Sequence, residues 1–372
     1  MTQPREAVGL AASVQPINVR WFDDLSPDRT AVEHAAQDAG LALPIHARSA
    51  WIAALGQKTS SVVALGPAPR DWVCCEWIKR RALPGYFTWR VRRWMPGPDP
   101  DATDAVLDAL SQRARKDRRI LRVDLQLFSR DGESRRAVAE KLRARGFQLG
   151  PPTLSYARTL GVNLAGLDKD AVWKGLETPA RTRIRNVAKF PVELRPITTA
   201  DAAKRMNELS QLALARTGAT QAEIDFIPII ELSRADANLL RLVGLFRTDV
   251  EGPENLVAFA LGLNHGDHVV YDAGGSARVP EFKSLGTAYP LIWDLMVWAS
   301  GLGVRWFDLG GVTDGRVGSD DPLGGISTFK SNFSRELHDV SEEWSLVVRP
   351  IGERVANAFA DLARSVSKRR SR

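Results

Sequence analysis

The amino-acid sequence predicts an α/β fold that occurs twice along the chain. Each half contains a β-hairpin, then a helix, then a strand with an Asp-Leu pair, at Asp124-Leu125 in the first half and Asp308-Leu309 in the second. A shared succession of elements over this length is typical of a duplicated fold. The chain has 372 residues, of which 44% are hydrophobic, and this is enough for two separate cores.

The first half alternates helices with strands. Helices are predicted where apolar residues keep to one face, as at Ala105, Leu107 and Leu110, and a hairpin is predicted around the turn ALPG. The predicted elements are helices over 25–40 and 47–56, a strand over 60–66, hairpin strands over 71–81 and 86–94, a helix over 101–116, a strand over 120–128, a helix over 132–147 and a strand over 153–160.

The second half repeats this order. Strands over 255–263 and 268–275 flank the turn NHGD, and a helix over 288–303 carries Leu291 and Leu295 at helical spacing before a strand over 304–311. The predicted organisation is a loose lead-in over 1–20, an N-terminal domain over 21–155, a C-terminal domain over 156–350, and a C-terminal helix and basic tail over 351–372.

The charge balance is basic, with 51 Lys and Arg against 44 Asp and Glu. Such a balance favours an anionic partner, although a basic protein without one is an alternative. Arg181, Arg185 and Lys189 are spaced by four residues, which predicts a cationic stripe along one helix face. This stripe is either a phosphate-binding surface or an ordinary solvated face. The basic tail over the last residues is expected either to strengthen contact with nucleic acid or an anionic membrane surface, or to have no measurable role.

Several reaction classes lack a sequence signature. Cys74 and Cys75 are adjacent and have no second pair, which indicates buried thiols and no disulfide framework. The histidines show no metal-binding spacing, and His265 and His268 fall at a hairpin turn, where we expect solvated side chains. The sequence contains no GxSxG elbow, Walker A loop or GxGxxG fingerprint. No signal peptide or membrane-spanning run is recognisable, and a cytoplasmic location is expected.

One loop resembles a site for the pyrophosphate of coenzyme A. Lys283, Gly286 and Thr287 precede the helix over 288–303, at the place where acetyltransferases of the GNAT fold bind pyrophosphate on a helix N-terminus. This loop has a single glycine. We therefore interpret it as a plain helix start and expect no coenzyme A and no other cofactor.

The order of motifs in the second half resembles the FemABX-type aminoacyltransferase family. RTRIRNVAKFPVEL, LVAFALGLNHGDHVVYDAGGSA, FDLGG and FKSNF follow one another as in that family, and the likeness extends over about residues 40–350. The resemblance implies two tandem GNAT-like domains, each a mixed, mostly antiparallel sheet flanked by helices. It also implies transfer of an amino acid from aminoacyl-tRNA to an amine of a peptide acceptor, usually a peptidoglycan precursor.

The family's catalytic lysine corresponds to Lys330, with Phe329 beside it. The ester of aminoacyl-tRNA is already activated, so the acceptor amine attacks its carbonyl directly, and a fixed cation stabilises the negative charge that develops on oxygen. We expect this lysine to lie partly solvated at the edge of a cleft. The alternative is a surface lysine on an edge strand. Phe333 is a further candidate in the same segment.

Other positions are predicted to bind substrate. Arg216 lies near the place where the family has an arginine that grips the diphosphate of the acceptor. Tyr271 is either a cleft residue or a core residue, and Asp308 is either an acid–base group or a cap. WIAALGQK, after Trp51, lacks the lysine that peptidoglycan members carry there, which leaves small peptides of antibiotic pathways as alternative acceptors.

Two alternative functions stay open for the whole chain. One is an acyl-CoA-dependent N-acyltransferase of the same fold, which the single-glycine loop disfavours. The other is a catalytically silent protein that binds tRNA, which the presence of Lys330 disfavours. No metal site is expected under any of these interpretations.

Overall fold

Two seven-stranded mixed sheets form the framework of the protein. The structure is a computed structural model. Its described residues are 17–23, 25–151, 156–216, 222–282, 285–315, 321 and 323–370, with the backbone alone described over 363–370. Most of the predicted lead-in over 1–20 lies outside these residues.

The first sheet has the strand order β1-β2-β3-β4-β5-β14-β6, and all its neighbouring pairs are antiparallel except β4 and β5. Its elements in chain order are β1 (Asn18–Phe22), α1 (Pro27–Asp38), α2 (Ser49–Ala54), β2 (Thr59–Leu65), β3 (Val73–Leu83), β4 (Tyr86–Trp94), α3 (Pro100–Lys116), β5 (Ile120–Phe128), α4 (Gly132–Ala144) and β6 (Gln148–Gly150), joined later by β14 (Ser341–Val347).

The second sheet has the order β13-β7-β12-β11-β10-β9-β8, and its parallel pair is β11 and β12. Its elements are β7 (Arg158–Asn163), α5 (Lys169–Gly175), α6 (Thr178–Asn186), β8 (Val192–Pro196), α7 (Ala202–Ala215), α8 (Ile227–Ala235), β9 (Leu240–Arg247), β10 (Leu256–Asn264), β11 (His268–Ser276), α9 (Ala288–Gly301), β12 (Trp306–Gly311), α10 (Gly324–Lys330) and β13 (Leu337–Asp339). A last helix, α11, covers Pro350–Arg370. The predicted fold class, two tandem GNAT-like domains, is confirmed.

Short polar side chains start several of these helices. Ser26 accepts a hydrogen bond from a backbone N–H of α1, and Asp99, Asp131 and Asp168 do the same for α3, α4 and α5. Such caps satisfy the free N–H groups of the first helical turn. They explain why the helices begin where the sequence pattern predicts them.

Separate cores support the two sheets. In the first domain Trp77, Trp89 and Trp344 are all buried, and Trp77 stacks on Trp89 at 4.8 Å between ring centroids. In the second domain Leu291 and Leu295 of α9 are buried against the sheet. Buried apolar surface of this kind is the main source of stability in both domains.

The chain returns to the first domain near its C-terminal end. We predicted residues 156–350 as the C-terminal domain, but β14 lies between β5 and β6 of the first sheet, and Trp344 pairs with Leu125. This departs from the predicted range because strand pairing over more than 200 positions leaves no local signal in the sequence. β1, from Asn18, also begins inside the predicted lead-in.

Among the described residues, none of the helices is long and apolar enough to span a membrane.

Candidate functional site

The two parallel strands of the second sheet separate at their carboxyl ends. β11 and β12 pair from His268 and Trp306 as far as Val270 and Asp308, and no pair follows. Beyond that point Tyr271 lies on one side of the opening and Gly310 on the other. Ligands of sheets with parallel strands bind where the carboxyl ends diverge. This opening is therefore the candidate site.

Lys330 lies at this opening, at the end of helix α10. Its ammonium donates a 2.6 Å hydrogen bond to the carbonyl of Gly311, and only 7% of the residue is exposed. The prediction of a partly solvated lysine is therefore wrong, as is the alternative of an edge strand. The apolar contacts of α10 turn this lysine inward.

Burial also changes the acidity of Lys330. Removal from solvent lowers its pKa to about 8, although the negative charge of Asp308 acts in the opposite direction. At neutral pH the side chain is mostly protonated. The site thus offers a compact cation, held by one carbonyl, in a largely dry environment.

An aromatic cluster holds α10 against α9. The rings of Phe329 and Phe333 lie 4.9 and 5.3 Å from the ring of Tyr289, measured between centroids. Phe333 is 1% exposed, so it is a core residue and not the substrate-binding residue that we predicted. Phe329 is half-buried and stays adjacent to Lys330. The cluster fixes the position from which the lysine projects.

Asp308 is fully buried at the last paired position of β12. It accepts hydrogen bonds from Tyr156 Oη at 2.6 Å and from Thr159 Oγ1 at 2.5 Å. Arg93 and the backbone N–H of Gly310 donate to it at 2.9 and 2.8 Å. Burial alone would raise the pKa of Asp308, but Arg93 and the other donors outweigh it and hold the pKa below its usual range. We predicted that Asp308 contacts substrate, with an acid–base role as one option. The carboxylate is buried and fully hydrogen-bonded, so it fits neither prediction.

Arg93 comes from the first domain and reaches the second. It lies at an irregularity between β4 and β5, and its φ of 44° is left-handed. Its guanidinium contacts Asp308, donates to Tyr156 Oη at 3.0 Å and lies 3.7 Å above the ring of Phe128. The sequence did not single out Arg93, because a buried arginine in a strand looks the same as an exposed one until its partner is known.

Three histidines form a stacked column beside this ion pair. His46, His265 and His268 follow one another at 5.8 and 4.9 Å between ring centroids. We predicted solvated turn residues at His265 and His268, but both are buried at the domain interface. Burial is the main cause that lowers the pKa of all three, to about 3 for His46. The column is neutral at pH 7.

The tautomer of His268 follows from its neighbours. Arg93 lies 2.6 Å from Nε2 and is always a donor, so Nε2 accepts and the ring proton is on Nδ1, 2.5 Å from Asp267 Oδ1. The residues that the structure describes contain no group of three potential metal ligands.

Tyr271 follows the last paired residue of β11, on the other side of the opening. A Cβ atom on Gly310 would lie 3.1 Å from the carbonyl oxygen of Tyr271 and 3.3 Å from Nζ of Lys330. Burial, and secondly Asp272, raise the pKa of the Tyr271 hydroxyl to about 12. Tyr271 is half-buried and packs against the core of the second domain, so its place in the cleft stays a prediction.

Arg216 follows the last residue of helix α7 and reaches the far end of β11. Its guanidinium donates to the carbonyl of Ser276 at 3.0 Å, and Arg278 is close enough to lower the pKa of Arg216 further, after burial. Ser276 is five residues beyond Tyr271, or about 17 Å along a strand. Arg216 is thus separate from Lys330 and belongs to an exposed cationic corner.

The predicted cationic stripe is only partly helical. Arg181 and Arg185 lie on α6, but Lys189 is in a short 3₁₀ turn after it, because the α-helix ends at Asn186. Arg181 donates to the carbonyl of Lys174 at 3.1 Å. Arg185 and Lys189 are exposed, and although Arg185 lies 5.3 Å above the ring of Trp173, both charges are accessible to an outside anion.

A recess in the first domain carries a second set of polar groups. Its lining includes His46, Glu76, Trp77, Arg90 and Arg92. Of these lining residues, Arg90 and His46 have a buried nitrogen, Nε and Nδ1, without a hydrogen-bond partner among the described residues. An unsatisfied buried donor such as Arg90 Nε indicates a position for a hydrogen-bond acceptor.

Comparison with known proteins agrees with this geometry. Residues 240–360 match the model of the FemAB family. The matched range runs from β9 into α11 and includes Lys330, together with β14 of the first sheet. The predicted resemblance is thereby confirmed over the part of the chain that contains Lys330.

Solved structures show the same fold. A crystal structure of FemX matches with a TM-score of 0.66 and 13% identity, covering 91% of this chain and all of the other. A tandem GNAT protein from the clavulanic acid biosynthesis pathway matches with a TM-score of 0.52 and 12% identity, covering 89% of this chain and 99% of the other. Curated protein sequences give no match.

Proposed function

We propose that this protein is an acyltransferase that moves an amino acid from aminoacyl-tRNA to an amine of a peptide acceptor. The observation that carries the proposal is the buried Lys330 ammonium at the opening between β11 and β12, inside the FemAB-family segment. A charged group so far from water is expensive to maintain, and such groups cluster at functional sites.

Lys330 is suited to a reaction that needs no covalent enzyme intermediate. The acceptor amine attacks the ester carbonyl, a C–N bond forms and the C–O bond to the ribose breaks. The developing oxyanion is stabilised by the ammonium, and the proton that the attacking amine loses is taken up by the departing ribose oxygen. A preorganised cation in a dry site stabilises this charge more strongly than the neutral ground state.

The donor side of the proposal is tRNA without coenzyme A. Arg185 and Lys189 provide exposed positive charge on the second domain. Lys283, which our sequence argument used, lies outside the described residues. Gly286 is described, and a Cβ there would lie 2.5 Å from the ring of Tyr289, so the start of α9 is closely packed. Charged tRNA is an intracellular substrate, and we expect the protein to act in the cytoplasm.

The acceptor side favours a peptide with negative charge. Arg90 and Arg92 line the recess of the first domain and have no ion-pair partner in the described part of the chain. Arg216 and Arg278 add a second cationic position. A nucleotide-linked muropeptide and a small acidic peptide metabolite both satisfy this requirement, and amide formation on the second would be a step of antibiotic synthesis.

A peripheral contact with an anionic membrane is also part of this proposal. Helix α11 leaves Ile351, Val355 and Phe359 exposed at 78%, 42% and 59%, and they follow one another at four-residue spacing. Glu353 and Ala356, on another face, are buried against the first domain. An amphipathic helix with an exposed apolar stripe and a basic sequence after it binds at the surface of anionic bilayers.

The decisive experiment is label transfer from a pool of charged tRNA. The protein is incubated with tRNA carrying radiolabelled amino acids and with three acceptors: a UDP-linked muropeptide, an acidic peptide and the same peptide amidated at its carboxylates. We expect label in an acidic acceptor, loss of transfer after ribonuclease treatment, and no transfer from labelled acetyl-CoA.

Other outcomes would replace the proposal. Transfer from acetyl-CoA, with stoichiometric binding by calorimetry, would establish the acyl-CoA-dependent alternative. Binding of tRNA without transfer to any acceptor would favour a silent tRNA-binding protein. Lys204→Met, a change at an exposed lysine of α7, serves as the matched control for Lys330→Met in every arm.

A further inference from the structure

Hydrogen bonds, with one covalent step from Gly310 to Gly311, join the first domain to the Lys330 ammonium. Arg93 donates to Asp308 at 2.9 Å, and Asp308 accepts from the backbone N–H of Gly310 at 2.8 Å. The next residue, Gly311, offers its carbonyl to Lys330 at 2.6 Å. Four successive groups, from two domains, thus fix the position of one cation.

The turn at Gly310 depends on the buried carboxylate. Gly310 has a φ of 75°, a conformation that glycine adopts without strain. Thr159 Oγ1 lies 2.5 Å from Asp308 Oδ1 and 2.9 Å from the carbonyl oxygen of Gly310. The carboxylate therefore holds the N–H of Gly310, and the Thr159 hydroxyl lies against the turn that precedes the Gly311 carbonyl.

Arg93 holds that carboxylate in an unusual way. Among the described residues other than glycine, it alone has a left-handed backbone. The backbone N–H of Arg93 donates to Gln126 Oε1 at 3.0 Å, and only 6% of the residue is exposed. Residues kept in sparsely populated backbone conformations cluster at functional sites.

Stability alone gives little reason for this arrangement. A buried ion pair is often no more stabilising than apolar residues of the same volume, because both charges lose their hydration. A buried pair does fix geometry, since both partners must stay in place. Arg93 is therefore better explained by the position it imposes than by the energy it contributes.

We propose that Arg93 and Tyr156 are positioning residues for the transfer site: they fix Asp308, and through the Gly310–Gly311 turn they set the place of the Lys330 ammonium. This inference rests on the proposed function of Lys330. It also makes the transfer site of the second domain dependent on a strand of the first. Tyr156 acts with Arg93 because its hydroxyl lies 2.6 Å from Asp308 Oδ2 and 3.0 Å from Nη1 of Arg93.

The test compares three variants in single-turnover transfer from pre-bound aminoacyl-tRNA. Arg93→Lys keeps the charge but loses the two-pronged donor, Tyr156→Phe removes only the hydroxyl, and the pair Arg93→Met with Asp308→Asn removes both buried charges together. The paired change guards against misfolding by an unpaired carboxylate. Arg113→Met, at an exposed ion pair with Asp23, is the control.

We expect Arg93→Lys and Tyr156→Phe to lower the chemical rate by about 10- to 100-fold, with acceptor KM within about twofold of the wild type and with folded protein by circular dichroism. We expect the paired variant to lose at least as much rate. The pH profile supplies a second readout: Asp308 on β12 is the charged group that acts on Lys330, and Arg93 and His268 act on Asp308. The alkaline limb should therefore move to lower pH in the paired variant.

Two failures are distinguishable. If Lys330→Met transfers at the wild-type rate, the catalytic assignment of Lys330 fails, whatever Arg93 does. If Lys330→Met abolishes transfer while all three positioning variants keep the wild-type rate and pH profile, the positioning role of Arg93 and Tyr156 is wrong. If the positioning variants change only the melting temperature and keep the wild-type transfer rate, the positioning role is likewise wrong.

Discussion

Lys330 and Gly311 are joined by a 2.6 Å hydrogen bond at the opening between β11 and β12. The bond links the end of helix α10 to the end of strand β12, 19 residues apart in the chain. It accounts for the direction of a buried ammonium that the sequence presents only as a lysine between two aromatic residues. The expected behaviour of several variants follows from this bond and its surroundings.

Lys330→Met should abolish most of the chemistry and keep the fold. Methionine has a similar volume, but the carbonyl of Gly311 loses its donor, which costs about 1–3 kcal/mol of stability. Loss of one fixed oxyanion partner lowers turnover about 10²- to 10³-fold. Single-turnover transfer and thermal unfolding measure the two effects separately. Lys330→Arg should restore little, because the planar guanidinium does not fit where a compact ammonium sits.

The rate of transfer should fall as pH rises through about 8. Lys330 has a pKa of about 8, lowered from 10.5 chiefly by burial. It is a cation below that pH, so stabilisation of the oxyanion is present there and is lost above it. Single-turnover rates between pH 6 and 10, with an acceptor amine of low pKa, display this limb. If Lys330→Met shows the same fall in rate at alkaline pH, the fall is caused by the titration of another group.

The sequence predicted most of the fold because the fold rests on local patterns. The hairpins around ALPG and NHGD are β3–β4 and β10–β11, and the periodic apolar residues of 288–303 form α9. β14 was assigned to the wrong domain, since its pairing with β5 joins residues more than 200 positions apart.

The site was predicted only where a motif carries it. Lys330 and Phe329 lie within FKSNF, and the opening follows FDLGG. The helical state of α10 was missed because the glycine-rich stretch before it suggests an extended loop. Arg93 and His268 were missed because charged and imidazole side chains in strands and turns are usually solvated, and only the second domain buries them.

Gly310→Ala should disturb the site at the point where Lys330 and Tyr271 approach. The new Cβ would lie 3.1 Å from the Tyr271 carbonyl and 3.3 Å from the lysine Nζ, at a φ of 75°. We expect a loss of about 1–2 kcal/mol from the backbone conformation and a drop in transfer rate. Gly301→Ala is the control, since a Cβ there meets nothing within 4 Å. Equal activity of both variants would show that the turn tolerates displacement.

Arg185→Gln with Lys189→Gln should weaken tRNA binding and flatten its dependence on salt. Each lost phosphate contact removes about 0.7 to 0.9 from the slope of log K against log salt concentration. Filter binding between 50 and 300 mM salt gives this slope directly. Arg181→Gln is the comparison, because its guanidinium already donates to the carbonyl of Lys174 and should contribute less. Unchanged slopes in the double variant would identify an ordinary solvated face.

Helix α11 should attach the protein to anionic vesicles through its apolar stripe. Ile351→Glu with Phe359→Glu introduces two charges where the stripe is 78% and 59% exposed, so the fold should be unaffected. In co-sedimentation, the wild type should bind vesicles that contain phosphatidylglycerol and not vesicles of phosphatidylcholine alone, because the basic sequence requires anionic lipid. The variant should lose this binding to vesicles although the basic residues of the tail are unchanged. Loss of a dimer in the variant, without any vesicle binding by the wild type, would instead assign the stripe to a contact between two copies of the chain.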